Sequence, residues 1–178
     1  MDVFVDAEFS SLGSDPRLIS VAFVADGGDE LYIEFTSGWK PEQCSKWVIE
    51  HVLPMLGTGE QLNRRVAVER VMMWLSGLAA APTLIVDSSW DAELISNLFS
   101  ENGIDPEMNR IETIEFADKN EAKQFEKARQ KYFTTFSGRQ HHALVDAHAL
   151  QFAVVQLIFC KSGQGHSSGI GNQGFIVR

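Results

Sequence analysis

The chain has 178 residues, and its 24 acidic residues against 15 Lys and Arg give a formal net charge of −9. This length suits one domain, and a hydrophobic content of 44% fits a globular chain better than a disordered one. The acidic balance argues against a general DNA-coating protein, because such proteins carry a basic surface. Taken alone, the charge counts against any role in nucleic-acid binding.

Signals for export or membrane insertion are absent from the sequence pattern. No uninterrupted apolar run approaches the roughly 18–20 residues that span a bilayer, and residues 1–6 lack the basic region of a signal peptide. Two cysteines, Cys44 and Cys160, are too few for a disulfide framework. We therefore expect a cytoplasmic protein with no membrane partner.

Three β-rich segments open the chain. Residues 3–5 and 18–24 are apolar runs, and residues 31–35 alternate between apolar and polar side chains. The segment Asp26-Gly27-Gly28-Asp29 lies between the last two and is a turn signal, because glycine supplies the positive φ that hairpin turns need. The opening therefore predicts an antiparallel meander of three strands.

Helices and strands alternate after the meander. Residues 161–178 hold five Gly and three Ser, a composition that favours a loop. We predict an α/β domain over residues 1–160, built on a mixed five-stranded sheet flanked by helices, and a Gly/Ser-rich C-terminal tail over 161–178. Apolar spacing predicts helices over 41–52, 65–79, 91–99, 118–133 and 142–159, and further strands over 82–86 and 111–116.

Asp6 and Glu8 lie at the end of the first predicted strand. Alternate side chains of a strand share a face, so the two carboxylates point the same way. Their repulsion makes ionisation of both costly unless a cation lies between them. The alternative is a solvent-facing polar edge, which this short spacing alone does not exclude.

Two further acidic residues belong to helices. Asp91 opens the helix that follows the strand over 82–86, where it could simply cap the helix, as could Ser88 or Ser89. Asp146 lies in an otherwise apolar last helix that His141 precedes. A buried, unpaired carboxylate is expensive, so Asp146 needs a partner such as a cation. The alternative is an ordinary hydrogen-bonded pair between Asp146 and a histidine.

These motifs, taken together and in this order, resemble the DEDDh branch of the DnaQ-like 3′→5′ exonucleases, whose fold is ribonuclease H-like. The resemblance covers residues 2–158, and the chain looks most like the compact exoribonucleases of the RNase AS and RNase T type. It matches the three motifs of the family at Asp6 and Glu8, at Asp91, and at His141 and Asp146.

The resemblance implies a mechanism and a set of site residues. The four carboxylates would hold two divalent ions, Mg²⁺ or Mn²⁺, while His141 would act as the general base in hydrolysis of the terminal phosphodiester. Relatives of this type are often homodimers, so we expect a homodimer. The residues expected beside the substrate are Ala7, Phe9, Asp87 and Trp90.

Two of these substrate residues leave a question open. Phe9 either stacks on the terminal base or belongs to the core. Asp87 stands where the family usually has Asn, four residues before the Asp of its second motif. This departure affects local hydrogen bonding or substrate contact, and it leaves the expected metal ligands intact.

The expected function is a metal-dependent 3′–5′ exoribonuclease in RNA processing, which releases nucleoside 5′-monophosphates from single-stranded RNA. One alternative is the same chemistry on single-stranded DNA or on short oligonucleotides. Another is a non-catalytic nucleic-acid-binding module on the same fold. The bound ions would offset part of the negative charge of the chain, so its acidity no longer argues against binding of a strand end.

Overall fold

A six-stranded mixed sheet forms the centre of the molecule. The computed structural model of the chain describes residues 1–105, 110–136 and 139–164, the last four without their side chains. The sheet order is β4-β3-β2-β1-β5-β6. The strands are β1 (Asp2–Phe9), β2 (Leu18–Ala25), β3 (Glu30–Phe35), β4 (Glu60–Leu62), β5 (Thr83–Val86) and β6 (Arg110–Thr113).

Among the described residues, five α-helices cover the two faces of the sheet. They are α1 (Lys46–His51), α2 (Arg64–Ser76), α3 (Ser89–Glu101), α4 (Lys119–Phe136) and α5 (Ala143–Gln164). Short 3₁₀ turns, Pro41–Gln43 and Leu53–Met55, flank α1. Side-chain caps begin four of the described helices: Ser45 for α1, Asn63 for α2, Ser88 for α3 and Asp118 for α4. Each cap accepts a hydrogen bond from a backbone N–H that would otherwise have no helical partner.

The predicted α/β class and the antiparallel meander are confirmed. β1 pairs antiparallel with β2, and β2 pairs antiparallel with β3. The turn between β2 and β3 contains Gly28 at φ 91°, in the left-handed region that glycine enters without steric cost. Parallel pairing then adds β5 beside β1 and β6 beside β5.

The strand count and several boundaries differ from the sequence prediction. The sheet has a sixth strand, β4, which pairs parallel with β3 at the sheet edge. It consists of three residues, Glu-Gln-Leu, so it has neither the length nor the β-branched composition that predicts a strand. α5 continues to Gln164, past the predicted domain boundary at 160. The rest of the predicted tail, residues 165–178, lies outside the described residues.

Side-chain alternation along β1 divides the core into two layers. Val3, Val5 and Ala7 belong to the cluster that includes residues of α2 and α3. Phe4 belongs to the cluster on the opposite face, with residues of α4 and α5. Alternation therefore directs Asp6 and Glu8 toward the face that α5 covers.

α5 is the described helix whose length and hydropathy would suit a membrane span. Its segment Ala143–Cys160 has a mean hydropathy of 1.7 over 18 residues, which corrects the expectation that no apolar stretch approaches that length. The helix packs on β1, β2 and α4, and Ala143, Ala147 and Leu150 are buried. A helix that forms one face of a core needs this composition, so the packing of α5 accounts for its hydropathy.

The sheet topology brings the sequence motifs to one edge. β1 and β5 are parallel neighbours, so their carboxyl ends meet at the same side of the sheet. Glu8 lies near the end of β1, and Asp87 directly follows β5. Helix α3 begins two residues after Asp87. Crevices outside the carboxyl ends of parallel strands are common ligand sites.

We expect Leu150→Ala to lower the free energy of unfolding by about 2–5 kcal/mol, because it leaves a cavity between α5 and the sheet. Leu150 is 1% exposed, whereas Leu12 is 74% exposed. The same substitution at Leu12 should change stability by less than about 0.5 kcal/mol. Urea unfolding of the two variants measures the difference. Equal losses would contradict the placement of α5 over the core.

Candidate active site

Asp6 and Glu8 occupy a central strand rather than a solvent-facing edge. β1 is hydrogen-bonded to β2 on one side and to β5 on the other, and both side chains are half-buried. The alternative reading of Asp6-Ala7-Glu8 as a polar edge is therefore wrong. The pairing register shifts between Glu8 and Phe9, where the ladder with β2 is irregular. Such irregularities bend a strand and redirect the side chains beside them.

Asp91 is held against β1 by two hydrogen bonds. Its Oδ1 accepts from the backbone N–H of Ala7 at 3.2 Å, and its Oδ2 accepts from the Ser88 hydroxyl at 2.5 Å. Ser88 is the residue that caps α3, since its Oγ also accepts from the Asp91 N–H at 3.2 Å. Asp91 is therefore not the cap. It is 4% exposed, and it lies in the first turn of α3, where the helix dipole favours a negative charge.

A hydrogen bond joins His141, which precedes α5, to Asp146 in the first turn of that helix. The His141 backbone N–H donates to Asp146 Oδ2 at 2.8 Å, so the hydrogen bond that the sequence left open is made to the histidine backbone, not to its ring. His141 has a φ of 68°, in the left-handed region that non-glycine residues rarely adopt. Backbone strain of this kind clusters at functional sites. The hydrogen bond to the Asp146 carboxylate helps to hold His141 in this backbone conformation.

The predicted ligand groups converge at this end of the sheet. Glu8 and Asp146 each offer an oxygen and His141 a ring nitrogen, and these three atoms lie within 4.8 Å of one another. Asp6 is close enough to Asp91, Asp146 and Glu8 for their charges to raise its pKa. The structure thus brings together all five residues of the sequence motifs, from three separate elements, β1, α3 and α5, or their ends.

Burial and mutual repulsion disfavour ionisation of this carboxylate cluster. Burial, and then the charges of Asp146 and Asp91, raise the pKa of Glu8 to about 8. Burial raises the pKa of Asp91 to about 7 and that of Asp146 to about 6, although hydrogen bonds to both oppose the rise. The pKa of Asp6 is raised well above its usual value, mainly by burial. A positive charge among these groups would reverse the effect.

The chemistry of the donor set fits hard divalent cations. The convergent side chains are carboxylates with one imidazole beside them, and carboxylate oxygens suit Mg²⁺ and Mn²⁺ better than soft metals. The closely spaced, half-buried or buried negative charges need a cation to be ionised together. Asp6, Glu8, Asp91 and Asp146 are the residues that would hold such ions.

His141 is in a setting that favours its neutral form. Burial lowers the pKa of His141, and the neighbouring His51 and Arg129 lower it further. The edge of its ring meets the ring of Trp47 on α1, with centroids 4.5 Å apart. A neutral imidazole beside a carboxylate cluster can accept a proton.

The predicted substrate residues divide between a pocket and the core. The Phe9 and Trp90 rings stack with centroids 6.2 Å apart, and Phe9 both packs against the core and lines a pocket of about 400 Å³ beside Glu8. Trp47 and Leu12 line the same pocket. The Ala7 side chain belongs to the core, and its backbone N–H contacts Asp91.

Asp87 forms an ion pair that the sequence analysis missed. Its Oδ2 accepts from Arg129 Nη1 at 2.5 Å, and the two side chains are 15% and 22% exposed. Burial opposes the charge of Arg129, but Asp87 and then Asp6 and Asp146 outweigh it and raise the pKa of Arg129. One signal could have suggested the pair: an Asp in place of the family's Asn, close to other carboxylates, calls for a cation.

The fold of the chain matches that of a solved structure. The structure of Pop2p from S. pombe, in a form with Mg²⁺ and Mn²⁺ bound, superimposes with a TM-score of 0.60 over 96% of this chain and 86% of that chain, at 14% identity. The fold is ribonuclease H-like. No protein-family model matches this sequence.

Two curated relatives match part of this ribonuclease H-like chain. Both are named 3′-5′ exoribonuclease and come from Mycobacterium tuberculosis, strains CDC 1551 and H37Rv, and each is 43% identical over 56 residues. The match spans 32% of this chain and 33% of the length of each relative. The predicted resemblance to the DEDDh 3′–5′ exonucleases is confirmed by these names together with the fold. The roles of the individual site residues stay predictions.

We expect the free energy of unfolding of the ribonuclease H-like domain in a chelator to fall as the pH rises from about 5 to about 8. The pKa values of about 8 for Glu8 and about 7 for Asp91 lie above the value near 4 of an unfolded chain. The folded protein therefore binds more protons in this window, and deprotonation costs stability.

Urea unfolding at several pH values measures this fall. Glu8→Gln should flatten it, and added Mn²⁺ should restore stability at pH 8 because it stabilises the ionised carboxylates. The control is Glu69→Gln at an exposed salt bridge on α2, which should keep the wild-type slope. Stability that rises with pH in the chelator would contradict the crowding of these carboxylates.

Proposed function

We propose that this protein is a metal-dependent 3′–5′ exoribonuclease that releases nucleoside 5′-monophosphates from single-stranded RNA. The observation that carries the proposal is the meeting of Asp6, Glu8, Asp91 and Asp146 beside the imidazole of His141. The names of the two partial relatives support the 3′–5′ direction and the RNA substrate.

The chain's own residues would divide the chemistry among them. Asp6, Glu8, Asp91 and Asp146 would hold two divalent ions, which when bound activate water and stabilise charge on the phosphodiester and its leaving oxygen. The hydrogen bonds from Ala7 and Ser88 fix the orientation of the Asp91 carboxylate. His141 would accept the proton of the attacking water, and its lowered pKa keeps it ready to do so near neutral pH.

The aromatic pocket beside Glu8 supports a single-stranded substrate. Its volume is about 400 Å³, and Phe9 and Trp47 contribute rings to its lining. Bases stack on aromatic side chains with little regard to sequence, and a base is free to do so where it is not held in a duplex. The 3′-terminal base would lie in this pocket while its phosphate reaches the carboxylates.

We expect Mn²⁺- or Mg²⁺-dependent shortening of a 5′-labelled, single-stranded RNA from its 3′ end. Asp146→Asn should abolish cleavage because it removes a ligand charge. His141→Gln should slow it by about 10²–10⁴-fold, the usual contribution of a general base. Gel analysis follows the shortened strands, and chromatography identifies the released nucleotides. Arg65→Gln, at an exposed salt bridge on α2, is the control and should cleave at the wild-type rate.

Matched RNA and DNA strands in the same assay separate the rival functions. Faster digestion of DNA would favour a deoxyribonuclease. RNA that is bound but left intact with fresh Mn²⁺, with binding unchanged by His141→Gln, would favour a non-catalytic binding module. If neither strand is bound nor cleaved, the proposed function fails for these substrates.

The proposal includes a homodimer, which follows from the resemblance to compact exoribonucleases. In such dimers one subunit supplies basic residues to the other's active site, where they would face the negative charges of the carboxylate cluster. Light scattering in solution should give about twice the chain mass of 19.8 kDa. A mass equal to that of one chain would contradict the dimer and leave the proposed chemistry untouched.

A further inference from the structure

Arg129 is a cation that faces the candidate site. Two pockets adjoin the carboxylate cluster. The pocket beside Glu8 has no Lys or Arg in its lining among the described residues. In the second pocket, of about 260 Å³, Arg129 lies with Gln140, His141 and Asp146. The guanidinium is therefore next to the proposed base and to one of the proposed metal ligands.

Arg129 is fixed in place rather than free in solvent. It projects from α4, its Nη1 donates to Asp87 Oδ2 at 2.5 Å, and its guanidinium carbon lies 6.0 Å from the centre of the Phe125 ring. Its side chain is 22% exposed. An arginine held in this way loses little further entropy when it binds a ligand.

The guanidinium retains hydrogen-bonding capacity that the protein does not use. It has five N–H donors, and among the described residues it donates to one acceptor, Asp87. Its Nε is buried without a hydrogen-bond partner. The donors relevant to a ligand in the pocket are the N–H groups of the terminal nitrogens that Asp87 does not use. The planar donor array matches the oxygens of a phosphate group.

We propose that Arg129 binds the phosphate of the terminal nucleotide, and that Asp87 is the positioning residue that holds Arg129 for this contact. The inference rests on the proposed function and adds a phosphate ligand to it. It also accounts for Asp87 where the related family has Asn. A neutral amide could accept one hydrogen bond from Arg129, but it would leave the buried positive charge unbalanced.

Calorimetric binding of AMP and of adenosine, each in excess Mn²⁺, tests the proposal without requiring cleavage. Arg129→Gln should weaken AMP binding by about 10- to 100-fold, the effect of losing hydrogen bonds to a charged group, while adenosine binding stays the same. The double variant Arg129→Gln/Asp87→Asn should show the same loss. It removes both charges of the pair, so it leaves no buried charge unbalanced and keeps the fold. Arg65→Gln is the matched control.

Arg129→Lys separates geometry from charge, because it keeps the charge and loses the planar array. It should recover only part of the affinity for AMP. The proposal is overturned if the double variant binds AMP within about twofold of wild type, since the pair would then be structural only. It is also overturned if the wild-type protein binds AMP no better than adenosine. A wild-type protein that binds AMP tightly but cleaves no nucleic acid would defeat the proposed function and leave the role of Arg129 standing.

Discussion

Repulsion among carboxylates at one end of β1 is the constraint on which the rest of the structure depends. Four acidic side chains lie there in a partly desolvated space, and their pKa values rise as a result. Left to themselves, such groups would move apart into water. The fold prevents this because the carboxylates are anchored to three elements, β1, α3 and α5, and both helices pack on the sheet. Backbone N–H groups of Ala7 and His141 then fix two of the carboxylates directly. As a result these carboxylates resist ionisation, and a positive charge placed among them would relieve that resistance.

The motifs could be predicted because their geometry follows from local periodicity. Alternation within a strand is enough to put Asp6 and Glu8 on one face, and the buried position of Asp146 follows from the apolar residues around it. The cap of α3 was ambiguous, since Ser88, Ser89 and Asp91 are all good cap residues. Ser88 is the cap, and its hydroxyl also donates to Asp91 Oδ2, so one residue serves the helix and the site together. Strand β4 could not be predicted because its three residues are too few to show an alternating pattern. It is recognised as a strand only by its parallel pairing with β3.

Arg129 could not be predicted by any local rule. It is 42 residues from Asp87 in the chain, and its helix reads as a polar, solvated one. Only the tertiary packing of α4 beside α5 brings it to the site. The Trp47 ring reaches His141 in the same way, from a short helix in a distant part of the sequence. Neither the spacing of residues nor the composition of the sequence predicts either contact. The sequence does contain one hint of this ion pair, because Asp87 stands where the family that the motifs resemble usually has Asn, close to other carboxylates.

The net charge of −9 takes on a different meaning once the site is known. A basic surface attracts nucleic acid along its whole length, and the affinity falls steeply with salt. On the proposed function, this protein would instead attract a strand end at one point, through divalent ions held by carboxylates and through the fixed guanidinium of Arg129. Asp87 neutralises that guanidinium in the absence of substrate, so Arg129 offers directed hydrogen bonds more than long-range attraction. Binding would then depend on metal occupancy and on the geometry of one phosphate, which favours a short contact with the end of a strand over retention of a long one.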